Sequence, residues 1–303
     1  MGRYDRERDF VISLVRELGE IQLQNFGNVL KLSKQEEQRP KKNAYSITDI
    51  KCQGRAIALI KKRFPRAAVF AEEDTPDLLR YAERNDANKE CWVLDPLDGS
   101  YNYTENKPFF GVVAGFRLHN LFAVGAMYLP KPGTLYLAVE GEGVRKFTNN
   151  DLSVGSELRI PSGPEAPQMR DLIHLGGGID KPERPATRIL NDKSGGIVFH
   201  HEDEFSSIDR TVDVLEGKYK GYLRYQSSIY GAGPEGFVIQ NAGGAFIGLD
   251  HKPPHWVNRR KQPAHGKARF VPELESYAIL GPQQYSQSLA DMISGILTTY
   301  NLR

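Results

Sequence analysis

Apolar positions near the start of the chain recur three to four residues apart, which is the period of one helix face. The apolar face of this first segment consists of Phe10, Val11, Leu14, Val15, Leu18 and Ile21. Gly27 follows it and is a residue typical of helix ends. A second helix is predicted from about Asp49 to Arg63, because Phe64 precedes Pro65 and the residue before a proline disfavours helix.

Short apolar runs predict strands in the following part of the chain. The runs "AAVFAEED" and "ECWVLDP" each have the length of a buried strand, and both contain acidic residues at their end. The runs "FFGVVAGFRL" and "LFAVGAMYL" flank His119-Asn120, an arrangement typical of a β-hairpin. "TLYLAVE" and "GVRKF" continue the pattern, so the first half is predicted to hold a largely antiparallel sheet.

Helices and strands alternate in the second half of the chain. Strands are predicted at "GIVFH", "YKGYLRY", "AGGAF" and "SYAILG", and helices near 205–217, from about 231 and at 283–300. The segment "HLGGGID" at 174–180 is predicted to be a loop, because Lys181 stands where a dinucleotide-binding fingerprint needs its last glycine. Residues 151–186 are rich in proline and glycine and mark a predicted boundary between two halves, 1–155 and 156–303.

Composition narrows the class of protein. Of the 303 residues, 40% are hydrophobic and 26% are charged, so the chain is able to bury a core and lacks the composition of a disordered protein. The formal net charge of +2 gives no overall attraction to nucleic acids. The basic cluster "NRRKQPAHGKAR" at 258–269 has no interleaved aromatic residues. We expect it to be a solvated loop or a contact for an anionic substrate tail, with no nucleic-acid partner.

The cysteines and the N-terminus bear on location. Cys52 and Cys91 lie far apart without the spacing of a redox or zinc motif, and buried reduced thiols fit the cytosol. The N-terminal "MGRYDRERDF" lacks the apolar region of a secretory signal, and stretches such as "LFAVGAMYL" are too short to span a bilayer. We therefore expect a soluble cytoplasmic protein with no membrane partner.

The stretch "WVLDPLDGSYNY" places Asp95 and Asp98 three residues apart, directly after an apolar strand. Like charges so close repel, and each raises the pKa of the other carboxyl unless a positive charge lies between them. The pair is therefore either solvated at a turn, where "DPLDG" is favourable, or it holds a cation. Asp49 and Glu72 supply two further acids, and Glu72 also follows an apolar strand.

Hard divalent cations prefer carboxylate oxygens, and Mg²⁺ completes its shell with water and substrate phosphate. Gly99-Ser100 form a turn that is able to open a helix, whose free N–H groups favour an anion. Metal-binding carboxylates beside such a turn predict a phosphate-ester site.

The stretch "DPLDGSYNY" resembles the central signature of the inositol monophosphatase superfamily, Asp-Pro-(Ile/Leu)-Asp-Gly-(Thr/Ser)-x-Asn-(Phe/Tyr). "FAEED" resembles the Glu-Glu segment upstream, and "NAYSITDI" resembles a Thr-x-x-Asp element in which Ser46 stands for the threonine and Asp49 is the aspartate. "GFVIQNAGGAF" follows the family's C-terminal helix and Gly-Gly turn. The resemblance covers most of the chain and implies an α+β fold layered as an α-β-α-β-α sandwich, with a largely antiparallel first sheet and a second α/β half.

The resemblance also implies the metal ligands. Glu72, Asp95 and the carbonyl oxygen of Leu97 would bind a first Mg²⁺. Asp95 and Asp98 would bind a second Mg²⁺. Two such cations would stabilise both the attacking and the leaving oxygen in an in-line displacement.

Catalytic and phosphate-binding residues follow from the same resemblance. Ser100, hydrogen-bonded to Asp49, would orient the attacking water, so Asp49, Ser100 and Glu72 are the predicted catalytic residues. Asp98, Gly99 and Ser100 would contact the substrate phosphate.

One departure from the family concerns the second metal. The family's C-terminal motif begins Trp-Asp, and that aspartate binds the second metal. Alignment without gaps on the Ala-Gly-Gly of 242–244 places Tyr230-Gly231 there, so the ligand is missing. Glu235 lies one helical turn further on, on the same face. It either substitutes in part for the lost ligand or is a surface residue beside a weakened second site.

A second departure concerns the substrate. The same alignment places Arg224 where inositol phosphatases often carry an acid that contacts the inositol ring. A cation there either meets a second phosphate or carboxylate of the substrate, or is an exposed arginine on an edge strand. Plain inositol phosphate is therefore a less secure substrate.

These residues predict a Mg²⁺-dependent phosphomonoesterase whose partner is a small phosphorylated metabolite, a sugar or cyclitol phosphate. Fructose 1,6-bisphosphate and a nucleotide 3′-phosphate are the rival substrates, and "SYNY" after the glycine resembles the inositol and sugar branch more than the nucleotide branch. A non-catalytic ligand-binding relative is the alternative, because Gly231 lacks the metal-binding carboxylate. The resemblance further implies a homodimer.

Overall fold

The structure, a computed structural model, describes residues 2–28, 31–33, 44–73, 75, 78, 89–177, 185–200, 205–261 and 269–301. Within these ranges the helices are α1 (Asp5–Asn25), α2 (Ile47–Arg63), α3 (Ser100–Thr104), α4 (Pro185–Lys193), α5 (Ser207–Leu215), α6 (Ile229–Asn241) and α7 (Gln283–Thr299). The helices predicted near both ends of the chain and in its second half are confirmed.

Seven strands form the larger sheet, in the order in which they occur along the chain. They are β3 (Ala68–Ala71), β4 (Glu90–Asp98), β5 (Gly111–Leu118), β6 (Leu121–Leu129), β7 (Thr134–Val139), β8 (Gly143–Phe147) and β9 (Ser156–Leu158). Only β3 and β4 pair in parallel among them; the other pairs are antiparallel. The predicted hairpin turn is confirmed, since His119 and Asn120 both adopt the left-handed backbone that a tight turn requires.

A second sheet of five strands holds most of the later elements. Its strands are β10 (Leu172–Gly177), β11 (Val198–His200), β12 (Gly221–Tyr225), β13 (Gly244–Gly248) and β16 (Tyr277–Pro282), in the order β11-β10-β12-β16-β13. Two further pairs complete the set: β1 (Lys31–Ser33) with β2 (Ala44–Ser46), and β14 (Trp256–Lys261) with β15 (Arg269–Leu274).

The elements stack in five layers, as an α-β-α-β-α sandwich. Helices α1 and α2 pack on the outer face of the larger sheet, where Leu18 and Ile57 belong to the same apolar cluster as Trp92. Helices α5 and α6 lie between the two sheets, and α4 and α7 cover the far face of the second sheet. Alternate residues of each strand therefore face different layers: Val113 packs against the middle helices, whereas Val112 packs against α1 and α2.

The middle layer is the largest link between the two predicted halves of the chain. Its apolar cluster joins Val113 and Met127 of the larger sheet to Ile208 of α5 and Val238 of α6. Burial of these side chains provides the main driving force for closing the sandwich. None of the helices in the described ranges is long and apolar enough to span a bilayer.

Two loop predictions need correction. Residues 174–177 belong to strand β10, which lies between two parallel neighbours with Ile173 and Leu175 fully buried; residues 178–180 lie outside the described ranges. The basic cluster at 258–269 belongs in part to the β14–β15 hairpin, and its residues 262–268 lie outside the described ranges.

Candidate active site

Three of the four predicted acidic residues, Glu72, Asp95 and Asp98, meet at one cavity of about 310 Å³ between the larger sheet and the middle helices. One wall comes from the end of β3, the end of β4 and the start of α3: Glu72, Asp95, Leu97, Asp98, Gly99, Ser100 and Tyr101. The rest of the lining comes from α5, β12 and α6: Ser206, Ser207, Arg210, Tyr222, Arg224, Ser227, Ser228 and Gly231. The cavity thus combines an acidic wall with a hydroxyl-rich wall that also carries arginines.

An irregularity in β4 brings Asp95 and Asp98 to the same cavity. Side chains three positions apart on a regular strand point to opposite faces of the sheet. Asp95 pairs with Val113 of β5 and Asp98 with Gly111, so three steps along β4 match only two along β5. The extra residue shifts the alternation by one and turns both carboxylates toward the cavity.

Asp95 is buried beside other acids. Its exposed fraction is 6%, and its Oδ1 accepts a hydrogen bond from the backbone N–H of Leu97 at 3.2 Å. Burial raises its pKa well above the usual range, and the nearby Glu72 and Asp98 carboxyls raise it further. Glu72, at the half-buried end of β3, is also hydrogen-bonded to this carboxyl. Ionisation of Asp95 at this site is therefore favoured by a cation bound beside it.

Asp98 connects the larger sheet to the middle layer. Its Oδ2 accepts a hydrogen bond from the backbone N–H of Ile208, in the first turn of α5, at 2.7 Å. Burial and the charge of Glu235 raise the pKa of Asp98 to about 7, although the hydrogen bonds from Ile208 and Ser206 act in the opposite direction. This contact fixes the orientation of a carboxylate that borders the cavity.

Asp49 and Ser100 form a hydrogen-bonded pair next to these carboxylates. Ser46 caps α2 and forms a capping box with Asp49, whose Oδ2 accepts from the Ser46 N–H and Oγ, each at 2.7 Å. The other oxygen, Oδ1, lies 2.6 Å from Ser100 Oγ, which is also 2.9 Å from the carbonyl oxygen of Leu97. Burial raises the pKa of Asp49, while the hydrogen bonds from Ser100 and Ser46 lower it.

Position 99, between Asp98 and Ser100, requires glycine. Its φ is +85°, in the left-handed region that favours glycine. A Cβ there would lie 2.5 Å from the carbonyl oxygen of Phe109 and 2.9 Å from the Cβ of Ser206. Glycine therefore allows α3 to begin immediately after the aspartate, with Ser100 as its first residue.

The donor set suits a hard divalent cation. In the described part of the chain, no three His, Cys, Asp or Glu side chains stand as a preformed cage. Instead, Glu72, Asp95 and Asp98 border one cavity, and two of them share a hydrogen bond that a cation would replace. Carboxylate oxygens together with the Leu97 carbonyl match the ligand preference of Mg²⁺, which also keeps waters in its shell.

Gly231, Arg224 and Glu235 lie together at the other end of the cavity. Arg224 forms an ion pair with Glu235 through Nη1 and Oε2, and its Nε donates to Ser227 Oγ at 3.2 Å. The Glu235 oxygens also accept hydrogen bonds from Ser207 at 2.8 and 3.0 Å, and Thr211 donates to Oε2 at 2.9 Å.

Two of the alternatives drawn from the sequence are wrong. Glu235 is 0% exposed, so it is not a surface residue. Arg224 is 5% exposed and belongs to β12, an interior strand between β10 and β16, so it is not an exposed residue on an edge. That Glu235 contributes to metal binding stays a prediction, although the side chain is already held by three protein donors.

Sequence reasoning missed the hydroxyl-rich wall. Ser206, Ser207 and Arg210 stand at the start of α5, which begins with a capping box between Ser206 and Asp209. The signal was present in the sequence, because a serine three residues before an acid, followed by an apolar run, is typical of a helix start. Its proximity to Asp98 depends on the packing of α5 between the sheets.

Comparisons with known proteins show the family of the chain. The model of the inositol monophosphatase family matches residues 4–277. Human inositol monophosphatase 1 is 25% identical over 83% of this chain and 87% of its own length. A protein of Aquifex aeolicus named fructose-1,6-bisphosphatase/inositol-1-monophosphatase is 32% identical over 75% of this chain and 80% of its own length. The match to inositol monophosphatase of Dictyostelium discoideum is shorter, 28% identical over 50% of this chain and 53% of that protein.

Solved structures show the same fold. An IMPase/NADP phosphatase, described as complexed with Mg²⁺ and phosphate, superposes with a TM-score of 0.67 over 95% of this chain and 94% of that chain, at 14% identity. Fold and site thus define a metal-dependent phosphatase. The chain belongs to the inositol monophosphatase family.

Proposed function

We propose that this chain is a Mg²⁺-dependent phosphomonoesterase that hydrolyses a small sugar or cyclitol phosphate. The observation that carries the proposal is the meeting of Glu72, Asp95 and Asp98 at one cavity, next to the hydrogen-bonded pair of Ser100 and Asp49. A solved member of the fold is described with Mg²⁺ and phosphate, which supports the choice of metal.

Glu72, Asp95, Asp98 and the carbonyl oxygen of Leu97 would hold the metal. When bound, Mg²⁺ supplies positive charge that stabilises the oxygens of the phosphoryl group and lowers the pKa of a bound water. The protein holds these four oxygen donors in place at the ends of the paired strands β3 and β4. The hydrogen bond from Ile208 to Asp98 orients that carboxylate before any ligand arrives.

Ser100 positions the attacking water. Its hydroxyl donates to Asp49, so its lone pairs are available to accept a hydrogen bond from water in the cavity. Accepting that hydrogen bond turns the water oxygen toward the phosphorus. Asp49 cannot rotate away, because its other oxygen is held by two hydrogen bonds from Ser46.

A second candidate substrate is a sugar bisphosphate of the fructose 1,6-bisphosphate kind. The buried Arg210 in the lining of the same cavity favours it, because guanidinium groups bind phosphate well. The Aquifex relative is named for both activities. Two further possibilities are a nucleotide 3′-phosphate as substrate and a role in ligand binding without catalysis. The phosphate-release experiment below distinguishes them.

Location and assembly complete the proposal. Cys52 and Cys91 are both free and buried, which supports a reducing compartment such as the cytoplasm. We further propose a homodimer on the strength of the family alone.

The direct test is phosphate release from a panel of inositol, sugar, sugar bisphosphate and nucleotide phosphates, with Mg²⁺ and with a chelator. Mg²⁺-dependent release that is fastest with a sugar or cyclitol monophosphate is the expected result. Faster release from a bisphosphate would select the second candidate. No release from any compound by the folded protein would refute the enzymatic proposal and favour the ligand-binding role.

A further inference from the structure

Gly231 faces the space that the ion pair of Arg224 and Glu235 fills. A Cβ built on Gly231 would lie 3.3 Å from Oε1 of Glu235 and 3.6 Å from Nη2 of Arg224. The carboxylate oxygens of an aspartate extend about two bond lengths, roughly 2.4 Å, beyond its Cβ. An aspartate there would place its oxygens within reach of Nη2 and close to the Glu235 carboxylate. Glycine at position 231 adds no side chain, so it leaves the space beside Nη2 to a ligand in the cavity.

The guanidinium is held in one orientation. Nη1 pairs with Glu235, and Nε donates to Ser227 Oγ at 3.2 Å. Glu235 is itself fixed by Ser207 at 2.8 Å, and the guanidinium carbon lies 5.0 Å from the centre of the Tyr222 ring. Such fixing removes the entropy cost of ordering a long side chain when a ligand binds.

Nη2 is the part of Arg224 that remains for a ligand. The described residues offer it no hydrogen-bond acceptor, and it lies on the side of Gly231, which borders the cavity. Burial lowers the pKa of Arg224, but the charges of Glu235, Tyr222 and Asp98 outweigh it and leave the pKa raised. Arg224 therefore presents a charged, pre-oriented donor to the cavity.

We propose that Arg224, positioned by Glu235, binds an oxygen of the reacting phosphate through Nη2. The inference rests on the proposed phosphatase function. It adds a positively charged side chain, the Arg224 guanidinium, to the phosphate-binding groups of the site. In this arrangement Glu235 is the positioning residue of Arg224 and takes the place of a metal ligand in neither site, because its oxygens are held by Arg224, Ser207 and Thr211. The arginine serves the phosphate that is cleaved, and a second anionic group of the substrate is bound elsewhere if one exists.

The test is calorimetric titration of the full-length protein with inorganic phosphate at saturating Mg²⁺. The double variant Arg224→Gln/Glu235→Gln removes both charges together, so no unpaired charge is left in the interior. Arg224→Lys keeps the charge but lacks the two terminal guanidinium nitrogens, of which one pairs with Glu235 while the other binds a ligand. Arg145→Gln, at an exposed position of β8, is the control. A second titration measures Mg²⁺ binding without phosphate.

We expect the double variant to bind phosphate about ten-fold or more weakly, as for the loss of a charge-assisted hydrogen bond, and Arg224→Lys to fall between it and the wild type. Mg²⁺ affinity should stay within about two-fold of wild type. Unchanged phosphate affinity, no phosphate binding by the wild type, or an equal loss of Mg²⁺ affinity would each overturn the proposal. Both readouts are binding constants, so the two proposals can fail separately. A wild type that binds phosphate through Arg224 but hydrolyses no ester would refute the proposed phosphatase function and leave the proposal for Arg224 intact.

Discussion

The Oγ atom of Ser100 lies 2.6 Å from Oδ1 of Asp49, although the two residues are 51 positions apart in the chain. The other oxygen of that carboxylate accepts two hydrogen bonds from Ser46, each at 2.7 Å, as part of the cap of α2. One buried side chain thus stabilises a helix start and orients the hydroxyl at the site. Stability and chemistry are coupled there, and they can be separated by choosing the right variants.

Removing the hydroxyl of Ser100 should affect turnover more than folding. Ser100→Ala is expected to lower kcat by about a hundred-fold or more, the usual size of a lost proton-positioning group. Ser100→Thr keeps the hydroxyl and should retain most of the activity. Steady-state kinetics measure the effect, with Ser153→Ala at an exposed serine as the control. A Ser100→Ala enzyme with wild-type kcat would contradict the role assigned to this residue.

The two capping boxes provide a matched pair. Asp49→Ala and Asp209→Ala each remove the acid that closes a capping box, at α2 and at α5 respectively. Both variants should lose at least about 1 kcal/mol of unfolding free energy in urea denaturation. Asp49→Ala should also lose about a hundred-fold in kcat, whereas Asp209→Ala should lose clearly less, because its cap reaches the site only through Ser206 and the first turn of α5. If Asp209→Ala lost as much activity as Asp49→Ala, the loss would be explained by lower stability. The role of Asp49 in orienting Ser100 would then be refuted.

Gly99 and Gly243 share the same φ of +85° but differ in their surroundings. A Cβ at Gly99 would lie 2.5 Å from a backbone oxygen, whereas nothing lies within 4 Å of one at Gly243. Gly243→Ala should therefore cost about 1–2 kcal/mol from backbone strain alone. Gly99→Ala should cost clearly more, with a loss of activity, because the turn after Asp98 must move. Equal losses in chemical denaturation would show that the close approach at Gly99 does not matter.

The acids of the site make stability depend on pH. The folded-state pKa of Asp98 is raised to about 7, through burial and then Glu235, from an ordinary value of 3.8; the pKa values of Asp49 and Asp95 are also raised. Such a group binds its proton more tightly in the folded state. Its stabilising contribution is therefore complete below about pH 4 and is lost as the pH rises through about 7.

Metal-free protein should accordingly lose stability between about pH 4 and pH 7, by up to about 1.4 kcal/mol per pH unit from Asp98. Mg²⁺ binds the ionised carboxylates, so its addition should raise Tm more at pH 8 than at pH 5. Differential scanning calorimetry with and without Mg²⁺ measures both effects. The same Mg²⁺-induced shift in Tm at both pH values would argue against these carboxylates as the metal site.

Local patterns were enough to predict much of the fold. The helical period of α1 and the turn at His119-Asn120 are each set by a few neighbouring residues. The strand β10 was not predicted, because Gly176 and Gly177 are typical of loops. Gly176 is needed there for another reason: a Cβ would lie 2.3 Å from the hydroxyl oxygen of Tyr222 on the next strand. That requirement comes from the neighbouring strand, so it is invisible in the local sequence.

The candidate site divides in the same way. A short motif around Asp95 and Asp98 predicted the acidic wall, because all its members are close in sequence. The contact of Asp98 with Ile208 joins residues 110 positions apart, and the interior place of Arg224 depends on the order of strands in the second sheet. Neither follows from spacing along the chain.

Phosphate release by the wild type, Asp98→Asn and the control Asp151→Asn, each with and without Mg²⁺, tests the central claim most directly. Asp98 is a buried carboxylate of the site, whereas Asp151 lies on an exposed loop. The account predicts release by the wild type and Asp151→Asn only when Mg²⁺ is present, and a loss of about a hundred-fold or more in Asp98→Asn. Release that persists without a divalent cation, or that Asp98→Asn leaves unchanged, would contradict it.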